Sequence, residues 1–232
     1  MRDTPDVSRR LLRLFERLGA AYGPQGWWPA SSPFEVAVGA VLVQNTNWLN
    51  AERALESLHA HGAVDAHAIV HMGTLRLEPL IRSSGTFRVK AKRLSAVSTW
   101  WMDNYEDARG WSLQTLRASL DGVHGVGPET ADCIALYAFD LPAFVADGYA
   151  RRILSRVGVV PEQGRYRDLV EFVESLLPAD TQFLNEAHAL IVAHAKGVCR
   201  PKPRCDDCVL LSDCAHGRVA GRSKAGAGTA AS

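Results

Sequence analysis

The chain has 232 residues with 47% hydrophobic and 22% charged side chains, which suits a globular protein of one large or two small domains. The formal net charge is only +1, so overall basicity gives no evidence for nucleic-acid binding. Such evidence must come from local clusters of basic residues. The longest apolar run, residues 36–43, is too short to span a bilayer, and the N-terminus lacks the pattern of a secretory signal. We therefore expect a cytoplasmic protein without a membrane segment.

Helical periodicity runs through the chain. Apolar residues recur at steps of three and four over residues 7–20. Ser32, Pro33 and Glu35 are typical of a helix start, and the apolar run that follows predicts a buried helix. Further helices are predicted at residues 47–58, 90–101, 113–120, 128–139, 149–157, 166–176 and 181–195. Strand-like alternation between hairpin turns is absent, so we predict an all-α fold.

Two helical domains and a tail are expected. Residues 30–140 form the predicted central domain, and residues 1–29 form a second one together with residues 141–216. Residues 217–232 are small and polar, which is typical of a disordered tail.

A glycine-containing turn separates the predicted helices at 113–120 and 128–139. Gly125 and Gly127 permit positive φ and a close backbone approach, and Pro128 suits the first turn of the second helix. Free amides beside a helix N-terminus attract an anion, and a DNA phosphate is the natural one. A plain tight turn between packed helices is the alternative. On the phosphate interpretation, His124, Gly125, Gly127 and Thr130 contact DNA.

Asp147 opens another predicted helix. It precedes Gly148 and Tyr149, and by itself it reads as an ordinary N-terminal cap.

Four of the five cysteines lie within sixteen residues. Without an export signal, Cys199, Cys205, Cys208 and Cys214 indicate a metal or cluster site rather than disulfides. Four thiolates suit either a [4Fe–4S] cluster or Zn²⁺, and the spacing leaves both open. The fifth, Cys133, is expected to be a small buried core residue.

These motifs together resemble the helix-hairpin-helix (HhH-GPD) DNA glycosylase superfamily that includes endonuclease III. The resemblance extends from about Leu11 to Cys214 and also includes the segments 23–25, 27–29, 39–46 and 90–94. It implies a two-lobed all-α fold whose hairpin lies at about 113–139 and whose cluster loop spans 199–214. It further implies a monomeric, nucleoid-associated base-excision-repair enzyme that acts on double-stranded DNA containing a damaged base.

The resemblance also gives the cysteines a cofactor. They match the family's [4Fe–4S] motif, except that the first gap is five residues where six are usual, and the match favours iron over zinc. Arg200, Lys202 and Arg204 lie in that first loop and are expected to meet DNA phosphates.

Two acidic residues decide the chemistry that the resemblance implies. Asp147 matches the family's catalytic aspartate, which stabilises the sugar cation and orients or activates water. Glu129 stands where endonuclease III has the lysine that attacks C1′ and forms a Schiff base. A glutamate cannot form an imine, so base removal by water without an efficient AP-lyase step is expected. No direct catalytic role is assigned to Glu129.

The substrate follows from a further similarity. Trp27, Trp28 and Pro29 look like the pocket of monofunctional 3-methyladenine (methylpurine) glycosylases, with Trp48 as a second stacking aromatic. An N-methylated purine is cationic, which favours electron-rich rings and makes the base a good leaving group. These tryptophans could instead be core residues.

Gln44 matches the family's wedge, which fills the space left by the flipped base. The alternative is a surface glutamine at a helix end.

Other functions remain open at this point. Adenine-mismatch glycosylases are disfavoured, because Ala40 stands at the place of their general acid and the chain has no room for their C-terminal domain. An endonuclease III-type glycosylase and AP lyase for oxidised pyrimidines is the main alternative. A non-enzymatic binder of DNA structures is disfavoured by the presence of Asp147.

Overall fold

Eleven α-helices of seven or more residues, a short helical segment at 215–218 and no strand occur in residues 4–218, the part of the chain that the computed structural model describes. The predicted all-α fold class is confirmed. No helix in this part of the chain is long and apolar enough to cross a membrane.

The described residues divide into two compact units. Within the described residues, the first comprises 4–27 and 144–218, and the second is Trp28–Ala143. The first unit contains α1 (Thr4–Tyr22), α9 (Gly148–Arg156), α10 (Tyr166–Glu174) and α11 (Thr181–Gly197). The second unit contains α2 (Pro33–Leu42), α3 (Trp48–Ala60), α4 (Ala66–Met72), α5 (Thr74–Leu80), α6 (Phe87–Ala108), α7 (Leu113–Asp121) and α8 (Pro128–Ala138).

Helix α2 is the core helix of the second unit. It begins where the sequence predicts, because the Ser32 hydroxyl accepts the Glu35 amide at 3.2 Å and Pro33 fills the first position. Every residue of α2 except Pro33 and Glu35 is buried, and the helix packs against α8 and α6. The C-terminal end of α2 therefore brings residues 44–46 to α6 and to the turn before α8.

Helix α1 shows how the first unit is built. Its buried residues recur at helical spacing along one face, which packs on α11: Val7, Leu11, Leu14, Phe15 and Leu18. Helix α9 also packs on α11. Helix α11 thus packs against α9 and leads directly into the cysteine segment.

Helices α4 and α5 have no counterpart among the predicted elements. Each is only seven residues long, and α4 depends on the cap from Asp65 to the Ala68 amide at 2.8 Å. Such short helices carry too few apolar positions to show a period.

Two residues of the expected tail, Gly217 and Arg218, lie in the described part of the chain. Residues 215–218 are helical, and the amide of buried Gly217 donates to Cys214 Sγ at 3.3 Å, so the cysteine segment orders Gly217 and Arg218. The rest of that prediction, residues 219–232, lies outside the described residues.

Candidate active site

Asp147 caps α9 in the first unit. Its backbone is extended, and its Oδ1 accepts the Ala150 amide at 2.7 Å. The second oxygen, Oδ2, faces Nε2 of His188 on α11 at 3.7 Å, which is an ionic distance rather than a hydrogen bond. His188 is 5% exposed. The carboxylate therefore commits one oxygen to the helix cap and turns the other toward an imidazole.

His188 was not found from the sequence. It lies inside the apolar run of α11, where a single histidine gives no functional signal. Only the packing of α9 on α11 brings it to Asp147.

The hairpin of the second unit is formed by α7, the turn at 122–127 and α8. Gly125 has φ +84°, whereas Gly127 caps α8 with an ordinary extended backbone at φ −92°. Pro128 is the first residue of α8, as predicted, and Glu129 follows it, exposed, in the first turn. Because Gly127 has no side chain to cap the helix, this N-terminus is available to an anion.

The two helices of the hairpin are held together by a buried ion pair. Arg117 Nε donates to Asp132 Oδ1 at 2.6 Å, and Asp132 is fully buried. The pair fixes α7 to α8 behind the turn.

Gln44 is bound to the same hairpin. Its Nε2 donates to the Gly125 carbonyl at 3.0 Å and to Thr130 Oγ1 at 2.9 Å. Its Oε1 accepts Arg93 Nη1 at 2.5 Å. Thr130 is buried, whereas His124 is exposed. Gln44 is thus part of the hairpin framework, and Thr130 contributes to that framework through its hydroxyl.

The predicted pocket aromatics fall in both units. Trp28 packs edge-on against Trp48, with ring centroids 5.0 Å apart, and lies 5.3 Å from the ring of Tyr137. All three are half-buried, and Pro29 is exposed. Trp27 belongs to the first unit, where Lys196 Nζ lies 5.9 Å from its ring. Tyr137, on α8, was missed because nothing local marks it as a partner of Trp28.

The four C-terminal cysteines follow α11 and lie within electrostatic reach of one another. Burial raises the pKa of the Cys208 thiol, a backbone hydrogen bond at Leu210 lowers it, and the charges of the other three cysteines raise it further. Among the described residues, no group of three or more His, Cys, Asp or Glu side chains has a geometry suited to a single metal ion. Cys133 is buried in α8, as expected.

Donors are already directed at these sulfurs. Arg156 Nη1 donates to Cys199 Sγ at 3.3 Å, and the Gly217 amide donates to Cys214 Sγ. His194 Nε2 lies 3.6 Å from Cys208 Sγ, while its Nδ1 pairs with the Tyr22 hydroxyl at 2.8 Å. Burial lowers the pKa of His194. The guanidinium of Arg156 and the amide of Gly217 are hydrogen-bond donors of the kind that suits thiolate ligands.

Two arginines of α9 hold the first loop of the cysteine segment. Arg152 Nε donates to the Cys199 carbonyl at 2.9 Å. Arg156 donates to the carbonyls of Arg200 and Pro201 at 2.6 and 2.9 Å. The helix that Asp147 caps therefore also supports the cysteine loop.

A basic groove of about 690 Å³ runs along α9 in the first unit. Its lining includes Arg151, Arg152, Arg156 and His216, with Glu162 as the acidic member. The predicted DNA contacts of the loop, Arg200, Lys202 and Arg204, are exposed. These residues give this part of the first unit a local positive charge that the net charge of the chain conceals.

Comparison with known proteins decides the family. The family profile of the HhH-GPD superfamily base excision DNA repair proteins matches residues 38–179, more than half of the chain. A protein of Methanocaldococcus jannaschii that bears the name DNA repair glycosylase is 41% identical over 209 residues, which are 88% of this chain and 95% of that protein. The chain belongs to the HhH-GPD superfamily. It is accordingly a DNA glycosylase, an enzyme class that acts on N-glycosyl bonds.

Two solved structures are similar to this HhH-GPD protein over most of its length. An endonuclease III in a non-covalent DNA complex aligns with a TM-score of 0.79 at 20% identity, covering 93% of this chain and 98% of that one, and shows the fold. The Helicobacter pylori 3-methyladenine DNA glycosylase bound to 1,N6-ethenoadenine aligns with a TM-score of 0.66 at 26% identity, covering 84% and 97%. The predicted superfamily is confirmed.

Proposed function

We propose that this HhH-GPD protein is a monofunctional DNA glycosylase that flips a damaged base out of double-stranded DNA and removes it hydrolytically. The substrate we propose is an alkylated purine such as 3-methyladenine. The observation that carries the proposal is the combination of Asp147, retained as the cap of α9, with a glutamate at position 129.

Asp147 supplies the chemistry of bond breaking. As the base departs, positive charge develops at the sugar, and a carboxylate close to it stabilises that charge. The cap occupies Oδ1, so Oδ2 is the oxygen that can orient a water molecule or accept its proton. Hydrolysis of the N-glycosyl bond needs no further nucleophile from the protein.

Glu129 removes the route to strand cleavage. An exposed carboxylate in the first turn of α8 cannot attack C1′ to form a Schiff base, the intermediate that leads to β-elimination. The product we expect is an abasic site in an uncut strand.

The pocket aromatics support a cationic base as the substrate. Trp28, Pro29 and Trp48, all in the second unit, are the residues we propose to line the pocket, and Tyr137 extends the aromatic group. A cationic purine over such rings gains about 0.5–2 kcal/mol from the cation–π interaction. The 26% identity to a 3-methyladenine DNA glycosylase supports the same substrate class.

DNA is proposed to bind through the hairpin and the cysteine loop. The N-terminus of α8, with His124, Gly125 and Gly127, would receive one phosphate, and Gln44 would enter the gap left by the base. Arg200, Lys202 and Arg204, with the groove along α9, would receive others. We propose that the protein binds chromosomal DNA as a monomer.

The four cysteines are proposed to hold a [4Fe–4S] cluster. When bound, the cluster would bridge the segment 199–214 and hold its basic loop in shape. Cys199, Cys205, Cys208 and Cys214 would ligate it, and Arg156 and the Gly217 amide would donate to its sulfurs. Zinc is the alternative metal, and the iron content of the protein distinguishes the two.

Base release measured by chromatography tests the function. Incubation with methylated DNA should release 3-methyladenine, whereas thymine-glycol DNA should release nothing above background. Asp147→Asn keeps a capping side chain, so the variant should fold and bind DNA while base release falls by at least about 100-fold.

A matched control is available on the neighbouring helix. Asp180 caps α11 by accepting the Phe183 amide at 2.6 Å, so Asp180→Asn makes the same change at a second cap of the same unit. It should leave base release unchanged. Release of oxidised pyrimidines instead would favour the endonuclease III-type alternative, and undiminished release by Asp147→Asn would refute the catalytic assignment.

A further inference from the structure

Two basic side chains of helix α6 form hydrogen bonds with residues at or just after the C-terminal end of α2. Lys90 Nζ, which is buried, donates to the carbonyls of Leu42 and Ser84 at 2.8 and 2.6 Å. One turn later, Arg93 Nη1 donates to the side chain of Gln44. Lys90 and Arg93 are three residues apart and therefore lie on the same face of α6. Lys90 binds the backbone just before Gln44, and Arg93 binds the Gln44 side chain.

Arg93 decides which way the Gln44 amide faces. A guanidinium can only donate, so it selects the Oε1 end of the amide. The NH₂ end is then directed to the Gly125 carbonyl and Thr130 Oγ1, both of which accept. With the amide reversed, Nε2 would face the guanidinium and Oε1 would face a carbonyl.

The stem of Arg93 also lies directly on the hairpin turn. A Cβ at Gly125 would overlap Arg93 Cγ and would stand 2.5 Å from Cδ. Gly125 is therefore required for its φ of +84° and for this close approach. Arg93 touches the turn with its aliphatic part and Gln44 with its guanidinium.

The backbone beside Gln44 is fixed as well. Asn45 has φ +54°, a left-handed conformation that asparagine tolerates better than most residues, and it lies three residues after Leu42, the last residue of α2. The side chain of Gln44 is thus held by Arg93 and the turn, and its backbone by Lys90 and Asn45.

We propose that Arg93 is a positioning residue that holds the Gln44 side chain in a fixed position against the hairpin turn. Phosphate binding by the turn is thereby coupled to the insertion of Gln44 into the gap left by the base. This inference rests on the proposed function, because it takes Gln44 as the residue that enters the duplex. Arg93 acts through Gln44 and touches neither the sugar nor the departing base.

A duplex with a tetrahydrofuran abasic analogue beside 2-aminopurine tests this without any catalysis. The fluorescence rise at saturating protein reports entry of a side chain into the gap. Arg93→Met keeps the stem over Gly125 and removes the donors, so the rise should fall to less than half, as it should for Gln44→Ala. The double variant should equal Gln44→Ala, because a residue that acts only through Gln44 adds nothing in its absence.

Three further variants complete the test. Arg93→Lys retains a cationic donor and should recover part of the rise. Lys92→Met, which removes an exposed charge from the neighbouring position of α6, should behave as wild type. If Arg93→Met lowers the thermal midpoint, Arg93→Leu, which also lacks side-chain donors, supplies the comparison in its place.

The outcomes separate this inference from the proposed function. Additive losses in the double variant, or an unchanged rise with Arg93→Met, overturn the inference even if wild-type protein excises 3-methyladenine. The predicted pattern upholds it even if no lesion is excised.

Discussion

At the scale of single residues, the proposed chemistry depends on where charge and hydrogen-bond donors are placed. Asp147 Oδ1 is used by the cap of α9 and Oδ2 faces His188. Glu129 sits exposed in the first turn of α8, where the helix dipole favours an acidic side chain whatever its role. A carboxylate at position 129 therefore suits the local structure and excludes imine chemistry with the same side chain.

Substitution of the two hairpin glycines should separate DNA affinity from stability. A Cβ at Gly127 would meet nothing within 4 Å, and its φ of −92° suits any residue, so Gly127→Ala should leave the free energy of unfolding within about 0.5 kcal/mol of wild type. If a phosphate approaches this backbone, the same change should weaken binding to undamaged duplex DNA by about tenfold, or 1.4 kcal/mol. Urea unfolding and fluorescence anisotropy measure the two quantities.

Gly125→Ala is the contrasting variant. The left-handed backbone and the Arg93 stem make it unfavourable in the folded state, so it should lose stability as well as DNA affinity. Unchanged DNA affinity in Gly127→Ala would contradict phosphate binding at this turn.

Residues whose partners are local were predictable from the sequence. The residues around Asp147 predicted a helix cap, and the spacing of the four cysteines predicted a metal or cluster site. Arg93, Tyr137 and His188 were not, because each meets its partner only through packing: Arg93 and Gln44 are 49 residues apart. Gln44 was predicted as a DNA contact, but its hydrogen bonds to the turn follow only from the fold.

At the scale of elements, α6 and α9 each serve two sites. Helix α6 fixes the end of α2 through Lys90 and the hairpin through Arg93. Helix α9 begins at Asp147 and supports the cysteine loop through Arg152 and Arg156. The long helices were predictable because their apolar period extends over many turns, whereas α4 and α5 were too short to show one.

Lys90 predicts a pH dependence of stability. Burial, with a smaller contribution from the charge of Arg93, lowers the pKa of Lys90 to about 8. Between this value and the ordinary pKa of a lysine, the unfolded chain binds more protons than the folded one, so this group makes the free energy of unfolding rise with pH. The rise should be on the order of 3 kcal/mol across that window.

Urea unfolding of wild type and Lys90→Met at pH 7–10 isolates this effect. The difference in unfolding free energy between the two proteins should shift in favour of wild type as the pH rises, because the methionine side chain does not titrate. A difference that stays constant over this range would contradict a lowered pKa at Lys90.

At the scale of the whole molecule, the cysteine segment and the carboxylate are linked through α9. The carbonyls that Arg152 and Arg156 hold belong to the loop that begins at Cys199 and ends at Cys205. A cluster that fixes this loop would therefore also steady the helix that Asp147 caps. The cofactor itself could be anticipated only by resemblance, since four thiolates admit iron or zinc equally well.

Cys208→Ser tests that link. Wild-type protein should contain about four iron atoms per chain, and the variant should lose most of them together with the visible absorbance of the cluster. Amide exchange in residues 149–156 should then become faster. Cys133→Ala, at a cysteine of the other unit, should retain its iron. Stoichiometric zinc in place of iron would refute the cluster, and unchanged exchange in α9 would refute the link.

Borohydride trapping during base release tests the central claim most directly. On methylated duplex DNA, wild-type protein should release 3-methyladenine and leave no covalent protein–DNA adduct, while Glu129→Lys, which restores an amine at this position, should give a trapped adduct. An endonuclease III on thymine-glycol DNA provides the positive control. A wild-type adduct that accumulates in step with base release would contradict hydrolysis by water.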